Sequence, residues 1–232
     1  MSDRRAGIAE GLDRVRSRIA AACERAGRSP DEVTLTVVTK FFPASDVRLL
    51  FELGVRHVGE NRHQEALEKA AECADLDLTW HFIGGLQSNK AAAVTTYASV
   101  VESVDRAKLL RGLSRGAHAH DRLLDVLVQV SLDSGPSGTG RSGVDPQDAS
   151  DLAQRVVEAE GLRLRGVMGV APFGEDPAPA FAKLAQVAEQ IRLVDPAATW
   201  VSAGMSEDFE TAIESGATHV RIGSAVLGER PS

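Results

Sequence analysis

The lysine at position 40 is the residue in this sequence most able to do covalent chemistry. Val37-Val38-Thr39-Lys40 closes a run of apolar and β-branched residues, 34–39, that reads as a strand covered on both faces. An ammonium group at the exit of such a strand is costly to desolvate, and burial pulls its pKa down. A lysine tuned in this way is the nucleophile that forms Schiff bases with carbonyl compounds. The alternative is that Lys40 carries its charge past the strand end into water. Two other stretches have anion chemistry. Gly204-Met205-Ser206 precedes a helical pattern over 206–215, and Arg221-Ile222-Gly223-Ser224 ends a strand pattern. Gly204 lets backbone approach a ligand closely, and Ser206 can open the helix whose N-terminus attracts an anion. Gly223 and Ser224 add N–H groups and a hydroxyl. A simpler reading makes Ser206 only a helix cap, with Glu207 and Asp208 in the first turn. Arg221 is either a partner for a carboxylate or a group set against a heterocycle nitrogen, holding that nitrogen unprotonated.

Such residues act together only if the chain brings them to one place, and the periodicity says how. Ile8, Leu12, Val15, Ile19 and Ala22 recur at spacings of three and four, predicting a helix over about 5–26 with Gly27 as its stop. Strand patterns follow at 34–39, 55–59, 80–84, 98–102, 124–132, 163–169, 199–203 and 218–222. Helical patterns lie between them at about 44–53, 63–73, 87–93, 105–118, 146–160, 178–193 and 206–215. Eight strands alternating with helices predict parallel βαβ units closed into an α/β (β/α)8 TIM-type barrel, a single domain over 1–232 with an extra N-terminal helix. In such a barrel, function gathers on the rim at the C-terminal ends of the strands. Lys40, Gly59-Glu60-Asn61, Gly84 to Lys90, Met168-Gly169, Ser202 to Ser206 and Arg221 to Ser224 all map to that rim. The loops after strands 7 and 8, where barrels often hold phosphate, carry Ser206, Gly223 and Ser224.

Composition narrows the partners. The chain has 232 residues and a net charge of −7 with no long basic run, so a nucleic-acid surface is not expected. Its two cysteines, Cys23 and Cys73, imply no disulfide framework and fit a reducing cytoplasm. Met1 to Arg18 lacks an apolar signal core, and no stretch approaches the roughly 18 apolar residues of a membrane span. No stripe demands a second subunit, so a monomer is expected. His118 and His120 do not share a helix face, and without H-E-x-x-H or C-x-x-C no metal site is expected.

Thr39-Lys40, Gly59-Glu60-Asn61-Arg62 with Gln64-Glu65, Trp80-His81-Phe82-Ile83-Gly84 with Leu86-Gln87-Ser88-Asn89-Lys90, Gly204-Met205-Ser206 and Arg221-Ile222-Gly223-Ser224 occur in this order. Together they resemble the pyridoxal phosphate homeostasis protein family, single-domain barrels similar to the N-terminal domain of bacterial alanine racemases. The resemblance spans nearly the whole chain. It implies pyridoxal 5′-phosphate (PLP) held as a Schiff base on Lys40. The phosphate would sit at Ser206 and the backbone of Gly223 and Ser224, Arg221 would face the pyridine nitrogen, and Asn61 would lie near the ring. An arginine there disfavours a pyridinium and weakens PLP as an electron sink. The implied function is reversible PLP binding for buffering, or for transient delivery to apo PLP-dependent enzymes, with little or no turnover. The alternative is a PLP-dependent amino-acid racemase. Two-base racemisation needs a second proton-transfer group. In alanine racemases a tyrosine from a separate C-terminal β-domain plays that part. Here Ser232 lies nine residues past Gly223, and the single tyrosine, Tyr97, precedes strand 4 and is expected near the opposite end of the barrel. Phe41, Phe42 and Gly85 depart from the family's commoner residues, at positions with no cofactor role.

Two patterns compete with this reading. Residues 138–143 spell G-x-G-x-x-G, and 135–142 nearly spell a P-loop with Arg141 where lysine belongs. Both motifs usually open the first βαβ unit, whereas this loop follows the fifth strand, so loop 135–143 reads as a rim loop with nucleotide binding as the lesser alternative. His81 sits mid-strand between Trp80 and Phe82, and is expected to be a satisfied barrel histidine while its two neighbours pack against helices. His57, His63 and His219 show no partner pattern.

Overall fold

Valine-rich strands covered on both faces close here into a cylinder. The computed structural model describes residues 2–133 and 142–229. β1 (Thr34–Val38), β2 (His57–Glu60), β3 (Thr79–Phe82), β4 (Val100–Val104), β5 (Leu124–Val130), β6 (Leu162–Gly169), β7 (Trp200–Ser202) and β8 (His219–Ile222) pair in parallel and in sequence order. β1 also pairs with β8, setting Thr36 beside Arg221 and Val37 beside Ile222. Around them lie α1 (Ser2–Arg25), α2 (Ala44–Glu52), α3 (His63–Glu72), α4 (Ala91–Val94), α5 (Leu110–Ala119), α6 (Ala149–Val157), α7 (Pro177–Val194), α8 (Phe209–Glu214) and α9 (Ser224–Leu227). This is the expected (β/α)8 barrel with its extra N-terminal helix. The main core fills the space between strands and helices, and Trp80 and Phe82 belong to it. No described helix is long and apolar enough to cross a membrane.

Ile8, Leu12, Val15, Ile19 and Ala22 are all buried on the inner face of α1. That helix lies against α8 and α9, so closely that a Cβ on Gly11 would collide with the Val226 carbonyl. Gly27 ends the first turn after α1 at φ +66°. Among the boundaries that differ from expectation, three have a clear local reason. β4 begins at Val100 rather than 98, because Ala98 N–H still bonds back to Val94 O in the turn after α4. The pattern at 87–93 divides into a 3₁₀ turn, Ser88–Lys90, and the short α4. α8 begins at Phe209 rather than 206, since Asp208 Oδ1 accepts the Met205 N–H at 2.6 Å and folds 205–208 into a turn. α9 has four residues, too few to show a period in the sequence.

Strand alternation puts every second residue inside the barrel. Val100, Leu127 and Met168 form a small apolar plug there. Beside it runs a column of polar groups. Arg221 Nη1 donates to Ser202 Oγ at 2.7 Å, and Ser202 Oγ donates to Glu102 Oε2 at 2.6 Å. Glu102 Oε1 lies 2.7 Å from His81 Nδ1, and His81 Nε2 lies 3.0 Å from His57 Nδ1. Burial alone would raise the Glu102 carboxyl, but His81, Arg221 and Ser202 together hold it down at about 2. A carboxylate at neutral pH requires His81 Nδ1 to be the donor. Burial, with His81 beside it, lowers His57 to about 4. His219 packs against Trp200 with ring centroids 4.2 Å apart, and burial lowers it to about 3.

These shifts make acid sensitivity an expected property. His57 and His219 stay neutral in the fold but take a proton in the unfolded chain below about 6.5. The unfolded state therefore binds more protons in acid, and stability falls with decreasing pH from about 6.5 to 3. Each histidine contributes a slope of at most about 1.4 kcal/mol per pH unit. Glu102 has the same sign, because its folded value lies below the ordinary carboxyl value of 4.5, and its contribution is lost toward about 2. Urea unfolding measured from pH 7 to 4 should show this decline, and His57→Gln should flatten it. A flat profile in the native protein would contradict the buried neutral histidines.

Candidate functional site

The C-terminal rim opens into a cavity of about 880 Å³, of the size that holds small cofactors. Val38, Lys40, Ile83, Arg221, Ser206, Gly223 and Ser224 line it, with Phe173, Glu175, Met205 and Glu229 also on its wall. Five of the six residues expected to touch a cofactor, all but Asn61, therefore meet in one cavity.

Each arrives there for a local reason. β1 pairing continues one residue beyond Val38, through Thr39 N–H to Gly59 O at 3.0 Å. A turn follows, closed by Phe42 N–H to Thr39 O at 3.0 Å, with Lys40 and Phe41 at its centre. Val38 and Lys40 face the cavity while Thr39 faces the helices, as alternation requires. Arg221 is 4% exposed, on the last turn of the polar column. Its Nη2 donates to Gly169 O at 2.9 Å, and Glu102 lies 3.8 Å from its Nη1. Burial pulls the guanidinium down and the Glu102 charge opposes that. Arg221 is thus a carboxylate partner, as one expectation had it, and it also lines the cavity.

Past β7, the ladder continues through Ala203 N–H to His219 O and Arg221 N–H to Gly204 O, each 3.0 Å. Gly204 adopts φ +91°, and a Cβ there would press on Phe209 at 2.7 Å. This tight passage carries the 205–208 turn next to the start of α9, so that Ser224 Oγ comes within 3.3 Å of Ser206 Oγ. Ser206 does not cap α8, as the sequence pattern expected; its hydroxyl is paired across the two loops instead.

Two further residues named from the sequence lie outside the cavity lining. Asn61 is not among the described residues lining the cavity; its Oδ1 is buried without a hydrogen-bond partner, and its backbone packs against Gly84. Tyr97 does not stay at the far end of the barrel. Its ring stacks on His63, the first residue of α3, with centroids 5.8 Å apart, and burial near Glu60 raises its phenol. It is not among the described residues lining the cavity. His81 is a satisfied barrel histidine, as expected. His57, whose partner no pattern showed, bonds to it. Residues 135–141 of the glycine loop lie outside the described residues; Ser142 O accepts from Gln129 Nε2 at 2.6 Å.

Two sets of residues were given no role by the sequence reading. Glu102 and Ser202 underlie Arg221, and the available signal was a charge inside the otherwise buried run Val100 to Val104. Glu60, Glu65 and Lys69 surround the lysine turn on its outer side. Lys69 Nζ donates to Thr39 O at 2.8 Å, Glu60 Oε1 at 2.6 Å and Glu65 Oε1 at 3.1 Å. Burial pushes the Glu60 carboxyl up, against the opposing pull of the Lys69 ammonium. Glu65 and Lys69 sit four apart on a helix, a spacing that reads as an ordinary surface pair.

Residues 11–231 match the family model of the alanine racemase N-terminal domain. The pyridoxal phosphate homeostasis protein of Mycobacterium tuberculosis is 41% identical over 244 residues, covering 98% of this chain and 95% of that protein. The structure of PipY from Synechococcus elongatus with PLP bound superposes with a TM-score of 0.82 at 35% identity, over 95% of this chain and 100% of that one. Alanine racemase from Corynebacterium glutamicum shares the fold, with a TM-score of 0.70 at 16% identity, over 98% of this chain and 61% of that enzyme. A barrel of this order, matched from end to end at this identity, belongs to the pyridoxal phosphate homeostasis protein family.

Proposed function

We propose that this protein binds PLP reversibly through Lys40 and serves PLP homeostasis in the cytoplasm, buffering the cofactor or passing it to apo-enzymes, with little or no turnover. The observation that carries this reading is the convergence of one amine, one guanidinium and a hydroxyl pair on a single rim cavity. The donor set fits the molecule. Lys40 supplies an amine for an aldehyde. Ser206 and Ser224, with the backbone of Gly223, supply donors for a phosphate. Arg221 spends Nη1 on Ser202 and Nη2 on Gly169 O, and a guanidinium has five N–H donors, so it keeps others for a ring nitrogen. PLP, when bound, supplies a reactive aldehyde and an electron-withdrawing ring.

The chain's part follows from these positions. Lys40 would hold the aldehyde end of the cofactor through its Nζ, an attachment that water or another amine could exchange. Ser206 and Ser224 orient the phosphate end. Arg221, kept cationic by Glu102, would donate an N–H hydrogen bond to the ring nitrogen while keeping the proton, which would leave that nitrogen unprotonated and the electron sink weak. Among the described residues lining the cavity there is no tyrosine, histidine or cysteine to act as a second proton-transfer group. The exposed Phe173 and Met205 leave the rim open, consistent with exchange of the ligand.

Three outcomes are expected. Lys40→Ala should abolish the borohydride-trapped pyridoxyl adduct, read by intact and peptide mass, with the thermal midpoint little changed; an adduct on Lys69 or Lys90 instead would overturn the assignment. Ser206→Ala should weaken PLP by about 1.5–3 kcal/mol, the worth of a hydrogen bond to a charged group, while pyridoxal, which lacks the phosphate, binds nearly as before. Equal losses in calorimetric titrations of the two ligands would remove Ser206 from the phosphate site. In steady-state assays against D- and L-amino acids, the lack of a tyrosine, histidine or cysteine among the described residues lining the cavity should hold racemisation about 10²–10⁴-fold below dedicated enzymes. Robust turnover that disappears in Lys40→Ala would establish the racemase alternative.

A further inference from the structure

The turn that aims Lys40 has an unfavourable backbone. Of its two central residues only the second, Phe41, has a positive φ, +70°. That combination is the type II arrangement, whose second central position suits glycine or asparagine. A bulky aromatic residue there is strained, and such strain persists only where the surroundings over-determine the conformation.

The surroundings do so from outside the barrel wall. Phe41 N–H donates to Glu65 Oε1 at 2.6 Å. The Arg62 guanidinium lies over the Phe41 ring, 5.0 Å from its centroid. Thr39 Oγ1 donates to Glu60 Oε1 at 2.6 Å, and Thr39 O accepts from Lys69 Nζ at 2.8 Å. Both peptide neighbours of Lys40 are therefore tied to side chains reaching in from β2 and α3. Lys69 spends all three ammonium protons here, on Thr39 O, Glu60 and Glu65. Its side chain is 5% exposed and that of Glu60 is 0% exposed. Removing these charges from water is costly, and a buried ion cluster is weak evidence for stability in itself. Its geometric effect is plain: it locks Thr39 outward and so Lys40 inward.

We propose that Glu60, Glu65 and Lys69 are positioning residues, a buried clamp that holds the strained Thr39–Phe42 turn so that Lys40 meets an aldehyde in the cavity. This rests on the reading of Lys40 as the Schiff-base lysine. Lys69, the other amine beside the turn, is committed to the clamp and is not a second site of reaction.

The test separates reaction at Lys40 from occupancy of the cavity. PLP and pyridoxamine 5′-phosphate share the ring and the phosphate, but only PLP offers Lys40 an aldehyde. Both are titrated into the native protein, Glu65→Ala, Glu65→Gln and the Glu65→Ala/Phe41→Gly double variant. Glu65→Ala should lose about tenfold or more in PLP affinity while pyridoxamine 5′-phosphate changes by less than about twofold, because the lost hydrogen bond involves a charged group and serves only the turn. Glu65→Gln keeps an acceptor oxygen and should retain most of the PLP affinity. Phe41→Gly should restore part of the loss, since glycine holds a positive φ unaided. Equal losses for both ligands, or no loss for either, would overturn the clamp. If the native protein traps no adduct at Lys40, the parent reading falls and the clamp with it. If the native protein traps normally and the variants keep its ligand ratio, only the clamp falls.

Discussion

A carboxylate removed from water must find donors for its lone pairs, and inside this barrel Glu102 finds His81, Ser202 and, at one remove, Arg221. The closed parallel sheet forces that solution. Most strand backbone groups are spent on the ladder, so buried side-chain charge is met mainly by side chains pointing inward from other strands. Glu102 comes from β4, His81 from β3, Ser202 from β7 and Arg221 from β8. Their mutual satisfaction fixes how β3, β4, β7 and β8 stand relative to one another. It also fixes the guanidinium at the floor of the rim cavity. Without the anion, Arg221 would be a buried cation with only a hydroxyl and a carbonyl for company, which is among the costlier defects a core can carry.

A second buried charge cluster does the corresponding work on the other side of the wall. Alternation along β1 and β2 sends Val38 and Gly59 inward and Thr39 and Glu60 outward. Lys69 of α3 then bridges what β1 and β2 present to it. The two clusters flank the cavity wall near Lys40, one orienting the ring partner and the other the backbone of the nucleophile. In both, ionic groups cost solvation and contribute geometric definition, which a site needing a fixed amine and a fixed guanidinium can use.

The phosphate end is built differently, from backbone and hydroxyls. The β7–β8 ladder runs on past both strands, through Ala203 and Gly204, and this extension places the two loops side by side. The short turn at 205–208 replaces the first turn of the helix the sequence pattern predicted. Asp208 makes it by taking the Met205 N–H. Ser206 is thereby released from capping and left to face Ser224.

Much of this was legible in the residues alone. Eight apolar strand runs with helical periods between them determine a parallel barrel, because fully covered strands leave few other ways to bury both faces. The ends of those runs determine the rim, and so the company of Lys40, Ser206, Gly223, Ser224 and Arg221. What the tertiary structure decided is everything that depends on side chains meeting across distant strands. Nothing in the local pattern tells that Glu102 and Arg221, so far apart in the chain, share a serine hydroxyl. Glu65 and Lys69 read as a surface pair until β1 and β2 close over them. Asn61, from the same block of residues as Glu60, packs its backbone against Gly84, where a Cβ would leave no room. Tyr97, in the connection before β4, stacks on His63 at the start of α3, a contact between distant segments. Periodicity records which face of an element is buried; only the register of the closed sheet determines which buried groups become neighbours.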